Sequence, residues 1–428
     1  MLMFKALIIF AVTYALMIAL PKFRAHTACL SAAVFVLFGF ITPAQALESI
    51  EWNVLLMIGG TMGVVSLFGA SKMPALMADV ITYRVPDVRW AIVALSLLAS
   101  IVSAFVDNVA TVLMIAPVAI ALAQKQDTSP VPMIISIAAA SNLQGAATLV
   151  GDATSILMGN AAGMDFLDFF WFKGHIGVFW VVQVGCLLSM LVLLVIFRDE
   201  RRQIQVGERT QVTDYFPTVL ICAMLVLLIG VSFIPVKPKN INGYICLAIF
   251  AIGLLRELLR GNTRGAADAV NDIDLQTLVL LLSLLVIIGA LTYTGVIGAL
   301  SKAFIALSGE SLFSSYTLIV WFSVLASAFV DNIPYVATML PVMTASASAM
   351  GVQPYLLYYG LLVGATLGGN LTPIGASANI TAIRLLEKRG YKVKSADYMK
   401  IGARLPLRQC WGDMLCCGLS GDEMTRLT

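Results

Sequence analysis

Long apolar runs recur along the whole chain, and they limit what it can fold into more than any other feature. Each run is roughly 16 to 23 residues long, which matches the ~20 residues that a helix needs to cross ~30 Å of hydrocarbon. Of the 428 residues, 60% are hydrophobic and 12% are charged, whereas soluble domains carry about 25% charged residues. The alternating pattern of a membrane β-barrel is missing. The sequence therefore predicts an all-α polytopic membrane protein.

Five spans are predicted in each half of the chain, and one span in each half is broken by polar residues. The spans are residues 2–20, 27–41, 50–70, 132–161 (broken) and 175–197, followed by 217–234, 241–255, 273–295, 354–385 (broken) and 401–419. Two further apolar pairs, residues 90–123 and 314–350, meet at the letters VDN. Their arms look too short for two crossings each. We therefore expect both pairs to be re-entrant hairpins, which enter and leave on the same side.

The basic residues provide a check on this topology. With the hairpins counted as no crossing, twenty of the 27 Lys and Arg residues fall on one face, five on the other and two in the C-terminal tail. Positive residues gather on the cytoplasmic side of membrane proteins. This asymmetry predicts a multi-pass protein of the inner (cytoplasmic) membrane with its N-terminus outside.

The two halves are predicted to be repeats. The hexapeptide SAFVDN occurs at residues 103–108 and again at 327–332, and the same offset of 224 aligns Pro117 with Pro341 and Gly151 with Gly375. Five crossings per half would insert the second copy upside down, which is a common architecture of secondary transporters. The predicted units are a first repeat at 1–197, a cytoplasmic linker at 198–216, a second repeat at 217–400 and an atypical last segment at 401–428.

Acidic residues at the hairpin ends are the first candidate site. An ionised Asp inside a membrane costs ~3 kcal/mol or more, so such residues usually face a pathway or a partner. Asp107 and Asp331 are therefore predicted to bind a cation or a proton, with Asn108 and Asn332 as neutral donors and acceptors beside them. The alternative is that each Asp only caps the following helix. The two roles are compatible.

The broken spans are the second candidate site. The stretches SNLQGAATLVGDATS (141–155) and ATLGGNLTPIGASAN (365–379) interrupt apolar runs with residues that allow a helix to unwind. Unwound carbonyls suit Na⁺, and half-helix N-termini suit an anion. Small residues at this spacing can also mean close helix packing. The candidate ion and substrate ligands are Asn142, Gln144, Thr148, Asp152, Thr154, Ser155, Asn370, Thr372, Ser377 and Asn379, with Na⁺ possible at Asn142, Thr148, Asn370 and Asn379.

Missing motifs narrow the mechanism. No phosphate-binding loop of the G-x-x-x-x-G-K-[ST] type is present, so the chain does not use ATP directly. The seven Cys and two His residues have no zinc or redox spacing. No Arg or Lys is expected in the cavity between the hairpin ends, which disfavours a multiply charged anion held by ion pairs. No cofactor is predicted, only H⁺ or Na⁺ as the coupling ion.

The quoted motifs resemble a known family. The paired DN hairpins, TLVGDATSI in the first half and GGNLTPIGASANI in the second are similar to the ion transporter superfamily, in its arsenite/antimonite permease and P-permease branch. The resemblance implies inverted repeats, as in the related divalent-anion/sodium symporters, and sites around the hairpin ends and breaks. Family members end in an uninterrupted apolar span. Residues 401–428 depart from this pattern, which suggests a frameshifted or truncated last helix.

Transport is the predicted function, and the chain is not expected to be an enzyme. We expect proton-coupled efflux of arsenite, antimonite or a related oxyacid or anion. Na⁺/H⁺ exchange and Na⁺-coupled symport of dicarboxylates or citrate are the alternatives. An intramembrane aspartyl protease is disfavoured because the residues around Asp107, Asp152 and Asp331 do not match its motifs. The expected partners are the bilayer and a small ion, without nucleic acid; a homodimer and a soluble ATPase subunit stay open.

Overall fold

Helices form almost all of the regular structure in this computed structural model, which describes residues 2–203, 210–212, 214–309 and 311–402. One pair of two-residue strands, β1 (Trp171–Phe172) and β2 (His175–Ile176), is the exception to the predicted all-α fold. The helices are α1 Leu2–Ala19, α2 Arg24–Leu37, α3 Pro43–Glu48, α4 Trp52–Ala70, α5 Met73–Thr82, α6 Val88–Ser103, α7 Asn108–Lys125, α8 Val131–Gln144, α9 Ala153–Ala162, α10 Val178–Ile196, α11 Phe216–Ser232, α12 Ile241–Leu259, α13 Thr263–Asn271, α14 Leu275–Tyr293, α15 Val296–Ser308, α16 Leu312–Ser327, α17 Asn332–Met350, α18 Tyr355–Gly369, α19 Ser377–Lys388 and α20 Ser395–Gly402. Three-residue 3₁₀ turns lie at Pro21–Phe23, Gly145–Ala147 and Leu167–Phe169.

Several of these helices are long and apolar enough to cross a membrane. Within the described residues there are seven, or up to eight if α15 and α16, which meet at a bend of 108°, form one span. The chain is therefore a multi-pass membrane protein. Both predicted breaks are present, between α8 and α9 and between α18 and α19. The sequence analysis did not predict the short helices α3, α5, α13 and α15.

The predicted hairpins are present as helix pairs, but one arm of each is longer than the sequence suggested. The second arms, α7 and α17, have 18 and 19 residues and pass the length test for a span. The chain turns between α6 and α7 and between α16 and α17 at the two VDN triplets. Re-entrant insertion stays a prediction. The predicted last segment, 401–428, lies outside the described residues except for 401 and 402.

The order of helices recurs along the chain. The six helices from α4 to α9 start at residues 52, 73, 88, 108, 131 and 153, and those from α14 to α19 start at 275, 296, 312, 332, 355 and 377. Each helix in the second set thus starts 223 or 224 residues after its counterpart. The repeat seen as a six-letter match is therefore a repeat of local structure over six successive helices.

The two halves pack against each other through two corresponding pairs of helices. Helix α4 of the first half packs on α12 of the second, and its counterpart α14 packs on α2 of the first. Close approach of α4 and α12 depends on Gly60, because a Cβ there would lie 2.5 Å from the backbone carbon of Cys246. The broken helices cross over in the same way, since α7 contacts α19 and α17 contacts α9. The two halves share one core.

The linker between the halves is tied to both of them. Thr210 donates its backbone N–H to Asp79 Oδ2 of α5 at 2.8 Å. Asp214 accepts from the two terminal nitrogens of Arg256 on α12, at 2.5 and 2.9 Å. These hydrogen bonds, and the nearby charge of Arg256, hold the pKa of Asp214 below its usual value of 3.8.

Candidate functional site

Each hairpin ends in a short turn that its Asp stabilises. We call residues 104–107 the first tip and 328–331 the second tip. In the first tip, Asp107 accepts from the backbone N–H groups of Val109 at 3.0 Å and Ala110 at 3.2 Å. In the second tip, Asp331 accepts from the N–H of Ile333 at 3.2 Å. The capping role is confirmed for both, because each carboxylate satisfies orphan amides at a helix start.

In each half, a threonine hydroxyl joins the interrupted part of the broken helix to the neighbouring tip. We call residues 145–152 the first break and 370–376 the second break. Thr148 donates its hydroxyl to the carbonyl of Ala104 in the first tip. Thr372 donates in the same way to Ala328 in the second tip. Both threonines therefore fasten unwound backbone and are not free ligands in this conformation.

A glycine in each break lies directly on backbone carbonyls. A Cβ on Gly151 would lie 2.6 Å from the Gly145 oxygen and 2.9 Å from each of two carbonyl oxygens at the first tip. A Cβ on Gly375 would lie 2.7 Å from the Gly369 oxygen and 2.8 and 3.1 Å from the equivalent oxygens at the second tip. Only glycine fits such close backbone approach. At these glycines, the backbone of each break thus lies directly against the backbone of the neighbouring tip.

Two asparagines join the halves at the breaks. Asn142 accepts from Asn108 Nδ2 at 3.0 Å. Its own Nδ2 donates to the Thr366 carbonyl at 3.0 Å and to Asn370 Oδ1 at 3.1 Å. Asn370 in turn donates to the Ala139 carbonyl at 2.9 Å. All of these groups are buried, so this part of the predicted site is a satisfied polar network that holds α8 and α18 together.

The first break and the second tip also meet directly. Asp152 caps α9 by accepting from Ala153 N–H at 2.7 Å, and it accepts from the Thr154 hydroxyl at 3.0 Å. Asn332, the first residue after the second tip, donates to Asp152 Oδ2 at 3.3 Å. Polar residues from the two halves therefore lie in direct contact at this point.

The second tip carries an ion pair that the sequence analysis missed. Arg24, the first residue of α2, places Nη1 2.6 Å from Asp331 Oδ2. Ser377 donates to the same oxygen at 2.8 Å and accepts from Arg24 Nη2 at 3.3 Å. The prediction that no Arg or Lys approaches the site was therefore wrong. Arg24 is separated from Asp331 by 307 residues of sequence, and its position just before the predicted span at 27–41 gave it the appearance of a loop residue.

A cavity of about 1030 Å³ connects this region to one face of the protein. At its inner end it is lined by Asp107, Asn108, Asp152, Asn332 and Ser377. Further out it is lined by Asp79, Asp268, Asp272 and Asp274, and by Lys72 and Lys125. The inner end thus collects five predicted site residues from four helix starts. The lysines and the outer acids are cavity residues that the sequence analysis did not single out.

The remaining predicted residues serve the packing around the cavity. Gln144 points away from it and forms a reciprocal pair with Gln183 of α10, at 3.1 and 3.2 Å. Ser155 donates to the Gly145 carbonyl at 3.0 Å. Asn379 donates to the equivalent carbonyl of Gly369 at 2.8 Å. Its buried Oδ1 has no hydrogen-bond partner among the described residues, so it is the one candidate Na⁺ ligand with a free amide oxygen there.

The chemistry of the site suits ions and small polar molecules. In the part of the chain that the structure describes, no group of three or more His, Cys, Asp or Glu side chains could hold a metal ion. The site offers two carboxylates, several amides and hydroxyls, and a guanidinium that is already paired. Such a set can bind a cation, or an anion that arrives with a cation.

Comparison with known proteins gives a consistent picture. The family model described as CitMHS, citrate transporter, matches residues 7–364. An uncharacterised transporter of Mycobacterium tuberculosis is 29% identical over 409 residues, which cover 93% of this chain and 94% of that protein. The human P protein is 26% identical over 484 residues, which cover 95% of this chain and 57% of that protein.

Among solved structures, the YdaH transporter of Alcanivorax borkumensis has a similar fold. The TM-score is 0.61 at 15% sequence identity, with 92% of this chain and 90% of that chain covered. At this identity the likeness concerns the fold alone. Because the match covers 92% of this chain, it extends over both halves.

Proposed function

The chain belongs to the CitMHS citrate transporter family, and from that membership we propose that it carries a small carboxylate anion of the citrate type across the membrane together with a cation. It is a secondary transporter and not an enzyme. The resemblance to the ion transporter superfamily is supported at this coarser level. The arsenite/antimonite permease branch is not the family whose model matches.

One observation supports the proposal most strongly: the cavity ends where the tips and breaks of both halves meet. A carboxylate can accept hydrogen bonds from the amides of Asn108 and Asn332, which line the inner end, because each amide uses only one of its two protons in the contacts described above. Uncharged donors of this kind bind an anion without a fixed positive charge, as half-helix starts do in other transporters. The cavity volume of about 1030 Å³ is large enough for a molecule of this size.

The charges of the cavity explain why a cation should travel with the anion. Asp107 and Asp152 line the inner end, and neither takes part in an ion pair among the described residues. An anion beside two ionised carboxylates would be repelled strongly at low dielectric. Uptake of protons or of Na⁺ removes that repulsion. We therefore propose H⁺ or Na⁺ as the coupling ion, bound at Asp107 and Asp152 or at the free Oδ1 of Asn379.

A second candidate is exchange of a neutral oxyacid, such as arsenous acid, for protons. The acid-lined cavity favours it, because a neutral hydroxide is not repelled by carboxylates and the same carboxylates can carry the protons. Efflux of arsenite or antimonite therefore stays a testable alternative, as does Na⁺/H⁺ exchange without any anion.

The proposed topology is that of two inverted repeats. Support comes from the recurrence of six helix starts at a near-constant spacing and from the exchanged packing of α4 on α12 and α14 on α2. The mouth of the cavity carries Lys72, Lys125 and the linker residue Thr210, which the charge bias assigns to the cytoplasm. On this topology the structure is open toward the inside of the cell.

Proteoliposomes that contain the purified full chain test these functions. Labelled citrate and succinate should enter against empty-liposome controls when a Na⁺ or pH gradient is imposed, and Asp107→Asn should abolish the uptake. Asp268→Asn, a change at the outer end of the same cavity, is the matched control that should retain it. Arsenite counterflow and Na⁺-driven pH changes, measured in the same vesicles, identify the alternatives. Absence of carboxylate uptake together with either signal would refute the carboxylate proposal.

A further inference from the structure

The two tips share the same six letters, yet their acids have different surroundings. Arg24, Asp331 and Ser377 each contact the other two, with distances of 2.6, 2.8 and 3.3 Å. The Asp331 side chain is only 7% exposed, and that of Arg24 is 27% exposed. A guanidinium that is hydrogen-bonded to a carboxylate keeps both groups ionised while the pair has no net charge.

Asp107 has no such partner. Its hydrogen bonds in the described residues come from the backbone of its own helix. The first break adds a second acid, Asp152, where the aligned position of the second break is Ala376. No described ion pair involves either acid. The first tip and break therefore carry two uncompensated carboxylates, and the second tip and break carry none.

Other charged groups face these acids, but none of them forms an ion pair with Asp107 or Asp152 among the described residues. The cavity that Asp107 and Asp152 line also contains both signs of charge, on α5, α7 and the α13–α14 region. The charged side chains that face it are Lys72, Asp79, Lys125, Asp268, Asp272 and Asp274. Asp79 and Asp274 are already engaged, with the backbone N–H of Thr210 and with Thr277 respectively.

From this asymmetry we infer that Arg24 is a charge-compensating residue. Its guanidinium, built into α2, takes the place of a coupling cation at the second tip. Asp107 and Asp152 are then the carboxylates that must take up protons or cations in each transport cycle. The two tips thus have different roles. The carboxylates of the first tip and break bind and release the coupling cation in each cycle, whereas the carboxylate of the second tip is permanently neutralised by Arg24.

The inference rests on the proposed function, and its test compares four versions of the full chain. These are the wild type, Arg24→Gln, Arg24→Lys and the double variant Arg24→Gln/Asp331→Asn. Initial rates of citrate uptake into proteoliposomes are measured against Na⁺ concentration at fixed pH and against pH at fixed Na⁺. The readout is the order of the rate in each cation, which a purely structural ion pair would not change.

Removal of Arg24 should add a cation requirement. In Arg24→Gln the order in the coupling cation should rise by about one, because Asp331 becomes an unpaired acid at low dielectric. The double variant should return to the wild-type order, and Arg24→Lys should keep it. An unchanged order in Arg24→Gln, or a raised order that persists in the double variant, would overturn the inference.

A second measurement separates failure of the inference from failure of the proposed function. If wild-type vesicles move no carboxylate, the proposed function fails, and the inference is then tested by thermal unfolding in detergent. Arg24→Gln should gain stability relative to the wild type as the pH is lowered, because protonation removes the unpaired charge. The double variant should follow the wild type. Parallel pH profiles for all versions would contradict charge compensation.

Discussion

The first and second tips of this protein have the same sequence and nearly the same backbone environment, but different charge. Both cap a helix with Asp, both are fastened by a threonine hydroxyl from the adjoining break, and both lie against a glycine. Of the two tip acids, only Asp331 is paired with a guanidinium in the part of the chain that the structure describes. Repeated residues thus determine the shape of each half-site, whereas the unrepeated residues Arg24 and Asp152 give the two half-sites different charges.

The largest expected effect tests whether the two breaks are equally intolerant of a side chain. Gly151→Ala and Gly375→Ala each place a Cβ against fixed backbone oxygens, at 2.6 and 2.7 Å for the shortest contacts. Overpacking costs about 1–3 kcal/mol in side-chain cores and more against rigid backbone. We expect both variants to lose folded protein in size-exclusion chromatography. Gly298→Ala in α15 meets nothing within 4 Å and should remain folded. If only one of the two alanine variants lost folded protein, the two breaks would not be equivalent.

The next effect separates the duties of the two acids. Asp107→Asn keeps the helix cap, since Asn is also a good cap, but it removes an exchangeable carboxylate. We expect uptake to fall to the empty-liposome background, because the variant lacks a carboxylate that takes up the coupling cation. The double variant Arg24→Gln/Asp331→Asn should retain most of the wild-type rate, measured as initial uptake. Equal losses of transport in Asp107→Asn and in the double variant would contradict the proposed difference between the tips.

An intermediate effect concerns the bridge between the breaks. Asn142→Ala leaves Asn108 Nδ2 and Asn370 Oδ1 without their mutual partner, and a buried unsatisfied group costs about 1–3 kcal/mol. The melting temperature in detergent should fall accordingly. Gln183→Ala, which breaks the pair with Gln144 outside the cavity, serves as a control that should leave the rate of transport unchanged. A stable Asn142→Ala protein would mean that α8 and α18 do not depend on this bridge.

A smaller effect is expected at the threonine fasteners. Thr148→Val and Thr372→Val remove the hydroxyl that donates to Ala104 or Ala328 and keep the shape of the side chain. A lost hydrogen bond of this kind costs about 1 kcal/mol. Serine at either position should restore the stability measured by thermal unfolding. Because the two bonds correspond, the two losses should be similar, and a clear difference would indicate unequal strength of the tip–break junctions.

The smallest effect belongs to the partly exposed ion pair between Asp214 in the linker and Arg256, which contrasts with the ion pair at the second tip. The pKa of Asp214 is lowered mainly by its hydrogen bonds with Arg256. A lowered pKa means that the pair stabilises the fold above the usual value of 3.8 and that this contribution is lost as the pH falls below it. The Asp214 side chain is 25% exposed, so Asp214→Asn should cost less than about 1 kcal/mol at neutral pH. A larger loss in thermal unfolding would mean that the linker restrains the halves more strongly than its exposure suggests.

Local sequence patterns predicted most of the features that depend on local chemistry. Apolar runs indicated the long helices, and Gly, Asn and Pro indicated both breaks. The doubled VDN indicated the tips and their caps. These signals suffice because helix formation and capping depend on residues a few positions apart.

Features that depend on distant contacts were not predictable in this way. Arg24 looked like one of many loop cations, since nothing near it reveals a partner 307 residues later. Gln144 was assigned to the site because of its position in the break, but its side chain turns toward Gln183. Asn142 and Asn370 were predicted as separate ligands, and the hydrogen bond that joins them was not predicted. Long-range packing determines the orientation of these side chains, and this packing cannot be predicted from local patterns in one sequence.

The exchanged packing of α4 on α12 and of α14 on α2 has a consequence for biogenesis. During synthesis, α4 emerges from the ribosome long before α12. Until α12 is made, the face of α4 around Gly60 is covered only by lipid or by the insertion machinery. An early translation product that ends in the linker would present an unfilled groove to the quality-control proteases of the cell. Split genes that encode residues 1–203 and 210–428 should therefore yield stable fragments only when both are expressed together.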